Sequence, residues 1–302
     1  MENKIYDLII IGAGPAGLTS ALYAKRYGLD VMIISSNVGG AMSEAHKIWN
    51  FPSYLEISGM ELTKKMYEQV KSLNLEIKNE LVTSIEKKKE IFEIKTIKNT
   101  YQSKKIIIAI GREKAKLNLK NEDKFLGKGI HYCAICDCSF YKDKIVGVVG
   151  GGNSAINAAL LLAEYAKKIY IIYRGDKLKK AEKILVEKAK NNKKIELIFN
   201  SIVVELIGKE NLEAIKLNNN KKIILDGLFI EIGGLPNKEI LKNLNLEFEK
   251  DFIKVNNKQE TNIKGVFAAG DITNNPLKQI ITACGEGAVA AYSAYIELEN
   301  EN

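Results

Sequence analysis

The sequence predicts an α/β protein with two Rossmann-like dinucleotide-binding domains. Three observations carry the prediction. At 302 residues the chain is long enough for about two domains. It holds two glycine-rich turns, GAGPAG at Gly12–Gly17 and GGGNSA at Gly150–Ala155. Each turn follows an apolar run that stops at glycine, the pattern of a strand buried on both faces of a parallel sheet.

The elements follow in order. Tyr6–Ile11 reads as the first strand, and Pro15–Tyr27 carries apolar residues at helical spacing. Val31–Ser35 is a second strand, closing a first βαβ unit. The KKKE run at Lys87–Glu90 separates two short apolar stretches and reads as a solvated hairpin turn. Ile106–Ile110 is a buried strand ending at Gly111-Arg112. A second βαβ unit consists of the strand Lys144–Val149, the alanine- and leucine-rich helix Asn153–Lys167 and the strand Lys168–Tyr173. Gly227–Ile232 is a strand running into the turn GGLPN with Pro236. Gly265–Ala269 is a strand ending at Gly270-Asp271, and the last helix runs from Lys278 to Leu298.

Composition narrows the function classes. The formal charge of +8 comes mostly from lysine scattered among isoleucine and asparagine. No stripe of arginine and aromatic residues marks a nucleic-acid surface. The apolar run Leu8–Ile11 is too short for a signal peptide or a membrane span. Of the four cysteines, three lie in HYCAICDC, residues 131–138. That is no disulfide framework, and it suits a reduced, cytoplasmic setting.

In GAGPAG, Gly12 permits the tight turn, Gly14 lets backbone approach a pyrophosphate, and Gly17 lets helix and strand pack closely. The following helix offers free N–H groups and a positive dipole end. About 20 residues on, an acidic residue usually takes the ribose. Here Ser35 and Ser36 stand there, with hydroxyls to hydrogen-bond in its place. GGGNSA, with Gly150, Gly152 and Ala155, offers a second pocket of the same kind. The C-x-x-C of Cys133 and Cys136 has three readings: a zinc half-site, a redox disulfide, or coincidence. His131, Cys133, Cys136 and Cys138 are four possible ligands, but structural zinc draws its pairs from separate segments. Redox chemistry beside a dinucleotide pocket is the favoured reading, and no metal is expected.

At this point the chain resembles the low-molecular-weight, bacterial-type thioredoxin reductases. The resemblance spans almost the whole length. It rests on GAGPAG, Gly39-Gly40, NFP at Asn50–Pro52, CAICD at Cys133–Asp137, GGGNSA, and GVFAAGD at Gly265–Asp271, in family order and spacing. It implies two domains of the three-layer ββα type, the second inserted in the first. An FAD domain would comprise residues 1–112 and 242–302, and an NAD(P)H-type domain carrying the redox disulfide residues 113–241. It also implies FAD and NADPH as cofactors, thioredoxin or a thioredoxin-like protein as partner, and a homodimer.

The resemblance assigns roles residue by residue. Gly12, Gly14, Pro15, Ala16 and Gly17 would hold the FAD pyrophosphate. The Ser35–Ala41 loop, with Ser36, Gly39 and Gly40, would lie along the cofactor with Asn50, and Val82 would touch the adenine through its backbone. Gly111 and Asp271 stand at strand ends, where Asp271 would bond the ribityl or phosphate region. Lys278, Gln279 and Ile280 would face the flavin pyrimidine ring. Gly150, Gly152, Asn153, Ser154 and Ala155, with Arg174 and Lys179, would hold NADPH. Cys136 would be the sulfur nearest the flavin, Cys133 the attacker of the substrate disulfide, and Asp137 the proton donor. Cys138 stands where the family has glycine, as a small replacement or a third thiol. Cys284 reads as a small buried packing residue.

The chain also departs from the family. The NADPH clamp, His-Arg-Arg and a later Arg, becomes Tyr173-Arg174-Gly175 with Lys179. Lys177 and Lys180 supply charge without a bidentate fork. Gly-Gly-Gln becomes Gly39-Gly40-Ala41, and Arg-Gln before the last helix becomes Lys278-Gln279. These changes raise ferredoxin, the donor of some clostridial relatives, as an alternative to NADPH, with NADH a third. Ferredoxins are acidic and this chain is basic. Two other functions compete: a ferredoxin–NADP reductase, whose members lack the cysteine pair, and a non-catalytic flavin and thiol redox sensor.

Overall fold

The apolar run near the start of the chain becomes a strand covered on both faces. In the computed structural model, which describes residues 4–301, β1 (Ile5–Ala13) leads into α1 (Pro15–Arg26) and β2 (Val31–Val38). Alternate residues of β1 serve different layers. Leu8 and Ile10 pack with Leu18, Ala21 and Ala24 of α1. Ile9 and Ile11 face the other way, toward Ile85, Phe92 and Ile94.

The chain continues through α2 (Gly59–Lys71), β3 (Glu76–Lys78), β4 (Val82–Lys88), β5 (Ile91–Thr96) and β6 (Thr100–Ile108). β4, β5 and β6 form an antiparallel meander. Its first turn lies at Lys89-Glu90, with Lys89 in left-handed backbone at φ 59°. The sheet order is β3-β2-β1-β6-β5-β4. The second half of β6 also takes a late strand, β19 (Val266–Ala268), in parallel, with Ile108 beside Ala268. The last helix, α7 (Ile280–Glu299), lies against α1 through small residues. Ser20 of α1 donates its hydroxyl to the Gly287 carbonyl of α7 at 3.0 Å.

The middle of the chain repeats this layering. It runs β7 (Glu113–Lys114), α3 (Glu122–Phe125), β8 (Ile130–His131), α4 (Ala134–Asp137), β9 (Ile145–Val149), α5 (Asn153–Tyr165), β10 (Lys168–Ile172), α6 (Lys183–Asn191) and β11 (Ile195–Ile198). Then come β12 (Val203–Ile207), β13 (Ala214–Leu217), β14 (Lys222–Ile224), β15 (Gly227–Ile230) and β16 (Gly234–Leu235), with β17 (Phe248–Glu249) and β18 (Phe252–Ile253) before β19. A parallel sheet of order β11-β10-β9-β15-β8 is the centre. Val149, Ile172 and Leu228 of this sheet face Val203, Ile215 and Ile223 of the antiparallel strands β12–β14. Helix α5 packs on its strands β9, β10 and β11.

Two compact units result, Met1–Glu113 with Leu235–Asn302, and Lys114–Gly234. The sequence places the return at 242; the structure places it at Leu235. The reason is burial. The 3-10 turn Glu239–Leu244 puts Leu241 and Leu244 into the core that holds Ile9, Ile85 and Ile94. Helix α5 stops at Tyr165, short of the expected Lys167, because the Lys167 N–H turns to the Lys144 carbonyl at 2.8 Å. Among the described residues no helix is long and apolar enough to cross a membrane.

Candidate active site

The first glycine turn is shaped for close approach. Gly12 has φ +106°, and a Cβ there would sit 2.3 Å from the Ala109 carbonyl oxygen. A Cβ on Gly17 would sit 1.9 Å from the Gly12 carbonyl oxygen, so helix and strand meet there without a side chain between them. Gly14, by contrast, has an open face: its Cβ would find only the Gly39 carbonyl oxygen, at 3.9 Å. It is the N-cap of α1, with Pro15 in the first helical turn, no side-chain cap and no acidic residue there. Those N–H groups therefore keep their donor capacity and meet no fixed negative charge. The Gly39 N–H bonds the Ala13 carbonyl at 2.8 Å, and Gly40 passes over Gly14. Ala41 and Ser36 are exposed, while Ala16 is buried. The Ser35 hydroxyl is spent locally, donating to the Asn37 carbonyl at 2.7 Å. Val82 opens β4 and is buried with Ile9 and Ile34.

Adjacent strand ends assemble a second group. Parallel pairing of β6 and β19 carries Gly111-Arg112 and Gly270-Asp271 to neighbouring positions, at the carboxyl ends where ligands of such sheets gather. Gly270 lies against α1, since its Cβ would meet that of Ala16 at 2.9 Å. Arg112 donates from Nε and Nη2 to Asp271 Oδ2, at 3.0 and 2.6 Å. Glu286 of α7, buried, accepts from the Gly270 N–H at 2.7 Å, from the Thr273 hydroxyl at 3.0 Å, and from the Asn275 amide. It holds the Gly270–Asn275 loop to the helix. Lys278 donates to the Thr273 carbonyl and lies 4.3 Å above the Phe252 ring centre. Burial pulls its ammonium pKa below the ordinary lysine value. Gln279 caps α7 by a capping box with Thr282, so this helix starts at Ile280 and not at Lys278. Asn50 donates to Gln279 Oε1 at 3.0 Å.

The first turn fits a dinucleotide. The open Gly14 face, the Gly39-Gly40 loop and an uncapped helix end without acid are what a pyrophosphate requires.

The second turn has the same backbone and a different neighbourhood. Gly150 has φ +148°, and its Cβ would meet the Glu231 carbonyl oxygen at 2.2 Å. Gly152 has nothing within 4 Å of a Cβ, and Ala155 is buried behind it. The chain after β10 folds back over this turn. The Tyr173 ring lies against Gly151 and Gly175, whose Cβ atoms would meet it at 2.3 and 2.7 Å. Gly152 forms a β-bridge with Lys180. Asn153 Nδ2 donates to Glu182 Oε1, and the Glu182 N–H donates to Asn153 Oδ1, both at 2.8 Å. Ser154 and Arg174 are exposed. The Lys179 ammonium lies 3.6 Å from the Asp176 carboxylate. The turn itself fits a dinucleotide backbone. Beyond it stand one guanidinium, that of Arg174, and a lysine, Lys179, that already faces an acid.

Cys133 and Cys136 are joined in a disulfide. Cys133 caps the one-turn α4, and its sulfur accepts the Cys136 N–H at 3.3 Å. Cys133 is half-buried and Cys136 exposed. Asp137 follows directly. Its Oδ2 lies 2.8 Å from His131 Nδ1, and His131 Nε2 lies 2.6 Å from the Tyr141 hydroxyl. Cys138 is a buried free thiol, and burial raises its pKa. Cys284 is half-buried rather than buried.

The sequence alone gives no role to Arg112, Glu286, Glu182 or the Tyr173 ring, and offers His131 only as a zinc ligand. A signal for Arg112 exists: Gly-Arg and Gly-Asp end two apolar strands, and only their pairing is absent from the sequence.

Comparison with known proteins places this arrangement. Residues 6–287 match the family model of the pyridine nucleotide-disulphide oxidoreductases. The chain is 38% identical to a thioredoxin reductase of Bacillus subtilis, covering 98% of this chain and 96% of that one. It is 40% identical to one of Ureaplasma parvum, covering 99% and 100%. Among solved structures, Lactococcus lactis thioredoxin reductase superposes with a TM-score of 0.94 at 34% identity, over 98% of this chain and 99% of that one. A ferredoxin-flavin thioredoxin reductase of Clostridium acetobutylicum is 38% identical with a TM-score of 0.55, over 98% of both. The chain belongs to the pyridine nucleotide-disulphide oxidoreductases, and within them to the bacterial-type thioredoxin reductases.

Proposed function

We propose that this oxidoreductase carries FAD at the first turn, takes electrons from NADPH at the second, and delivers them through Cys133 and Cys136 to a thioredoxin or thioredoxin-like protein. The observation that carries the reading is the Cys133–Cys136 disulfide on a one-turn helix beside Asp137, in a chain with two dinucleotide turns. FAD, when bound, supplies a two-electron carrier between donor and disulfide. Gly12, Gly14 and Gly17 with the α1 end would hold its pyrophosphate, Asp271 is held by Arg112, and Gln279 and the α7 end would lie toward its ring. The proposal extends to a homodimer working in the cytoplasm.

The protein's own residues then divide the exchange chemistry. Cys133 as thiolate attacks the substrate disulfide, and the Cys136 N–H on its sulfur favours the charged form. Cys136 attacks the mixed disulfide and reforms the Cys133–Cys136 bond. Asp137 gives the proton that the leaving thiolate takes.

Cys136→Ser tests the scheme. Steady turnover should vanish, and reduced variant should trap thioredoxin as a mixed disulfide through Cys133, read by mass. Full turnover in this variant would end the reading.

A second reading concerns the donor alone. Tyr173, the Asn153–Glu182 pair and the Asp176–Lys179 contact all lie at the second turn, and these favour ferredoxin over NADPH. A net charge of +8 suits an acidic protein donor. Anaerobic mixing with NADPH, NADH or reduced ferredoxin separates the readings, by which of them bleaches the flavin.

A further inference from the structure

A line of three side chains runs from the disulfide into the core of the second unit. Asp137 follows Cys136 and is partly exposed, with its side chain at 26%. His131 behind it is 7% exposed and Tyr141 5%. The imidazole stacks on Phe229 at 5.1 Å, and Tyr141 stands edge-on to both rings, at 5.3 and 5.4 Å. His131 sits on the short strand β8, whose neighbour β15 supplies Phe229 in register with it. Sheet pairing and ring packing thus hold the imidazole in one orientation.

The hydrogen bonds then set its protons. Burial, followed by the negative charges of Asp137 and Asp226, pushes the Tyr141 hydroxyl up to about 12. Tyr141 therefore keeps its proton near neutrality and donates to His131 Nε2. The remaining imidazole proton lies on Nδ1 and goes to Asp137 Oδ2. This contact takes Asp137 Oδ2 and not Oδ1. The other charged groups around the line are Lys144, 5.4 Å from the Tyr141 ring centre, Asp226, and Glu164, which acts on Cys138.

We propose that His131 is a positioning residue for thiol–disulfide exchange, holding the Asp137 side chain beside the cysteine pair through its Nδ1 hydrogen bond. The proposal rests on Asp137 being the proton donor. In the exchange, the Cys136 Sγ–Cys133 Sγ bond forms and the bond from Cys133 to the thioredoxin sulfur breaks. The electron pair stays on the thioredoxin sulfur, which takes the proton of the Asp137 carboxylic acid. The Asp137 carboxylate remains, still held by His131, and water restores the proton. The gain is one of geometry: an imidazole fixed by Phe229 and Tyr141 keeps the donor in one orientation.

The test uses holoenzyme reduced anaerobically with stoichiometric dithionite and mixed with oxidised thioredoxin. Flavin reoxidation is followed at constant pH. His131→Phe keeps the ring packing but offers Asp137 and Tyr141 no hydrogen bond, whereas His131→Asn offers an amide N–H at the Nδ1 position alone. His131→Phe should slow exchange on the order of tenfold, His131→Asn should recover toward the parent rate, and both should leave flavin absorbance unchanged. A His131→Phe rate equal to the parent's, or a His131→Asn rate no faster than that of His131→Phe, overturns the proposal. Asp137→Asn separates the levels: its full activity removes the underlying reading of Asp137, while a slow Asp137→Asn beside a normal His131→Phe removes only the role of His131. The chain has two histidines, so 15N-histidine NMR of the unaltered protein is an independent check. An Nδ1–H tautomer is expected; an Nε2–H tautomer refutes the scheme.

Discussion

Rebuilding an arginine clamp at the second turn addresses the donor from the enzyme's side. Arg174 is exposed, Gly175 stands where the family pattern has another arginine, and Lys179 faces Asp176 at 3.6 Å. The perturbation is Gly175→Arg with Lys179→Arg. A hydrogen bond to a charged group contributes about 1.5–3 kcal/mol, and a guanidinium makes two to a phosphate. Both positions are near solvent, and ordering two arginines costs entropy, so one full contact is the net gain to expect. At 1.4 kcal/mol per factor of ten, that is about ten- to a hundredfold in affinity. There is one steric demand. A Cβ on residue 175 would lie 2.7 Å from Tyr173 Cε1, so the ring must swing aside, and a Tyr173→His background makes the room. The assay is anaerobic flavin reduction against NADPH and NADH concentration. The half-saturating NADPH concentration should fall by the stated factor while NADH, which lacks the 2′-phosphate, stays put. Equal gains for both nucleotides would mean that the variants merely uncover the turn. No change in either would refute the placing of the phosphate corner at residues 174–179.

Other expectations follow from the same geometry. Gly14→Ala should leave apoprotein stability within about 0.5 kcal/mol, because its Cβ has room, yet release FAD on gel filtration. Gly12→Ala should lose stability itself, by at least ~1–3 kcal/mol, since it combines a left-handed φ of +106° with a 2.3 Å approach to Ala109. Glu286→Ala strands the Gly270 N–H and two side-chain donors; the melting temperature should fall and flavin fluorescence show weaker retention. Glu301 has its pKa lowered, first by its hydrogen bond with the buried Lys105 and then by Lys264. A carboxyl depressed in the folded state stabilises above its ordinary 4.5 and loses that contribution as pH falls through the lower native value. Acid titration of stability should therefore flatten in Lys105→Met over that window.

Local pattern carried the main strands and helices that flank the turns. Unbroken apolar runs gave β1, β6 and β9, and small residues at helical spacing gave α1, α5 and α7. What stayed hidden was lysine-rich or set by register. Helix α6 lies in KILVEKAKN, where two buried residues, Leu185 and Ala189, sit among charges. Arg112 and Asp271 are 159 positions apart and meet only because Ile108 pairs with Ala268. The same holds for His131 and Phe229, which β8 and β15 bring together. No motif records a register, so residues whose role depends on one are silent in a single sequence.

The two glycine turns make the point most sharply. GAGPAG and GGGNSA carry nearly equal signals, and both fold as the signal demands, with Gly14 and Gly152 each leaving an open face. Their difference comes from segments outside the motif. Over the first turn pass Gly39 and Gly40, which bring backbone and no charge. Over the second pass Tyr173, Lys180 and Glu182, which bring a ring, a strand bridge and a carboxylate bonded to Asn153 at the α5 end. A helix N-terminus favours an anion. An incoming pyrophosphate at α5 must therefore compete with Glu182, whereas at α1 it meets no such rival. Tight, permanent holding belongs to the first turn on this account, and exchange or exclusion to the second. Glu182→Gln discriminates between these two: it should strengthen pyridine-nucleotide binding if the carboxylate is the rival, and change nothing if the ring alone decides.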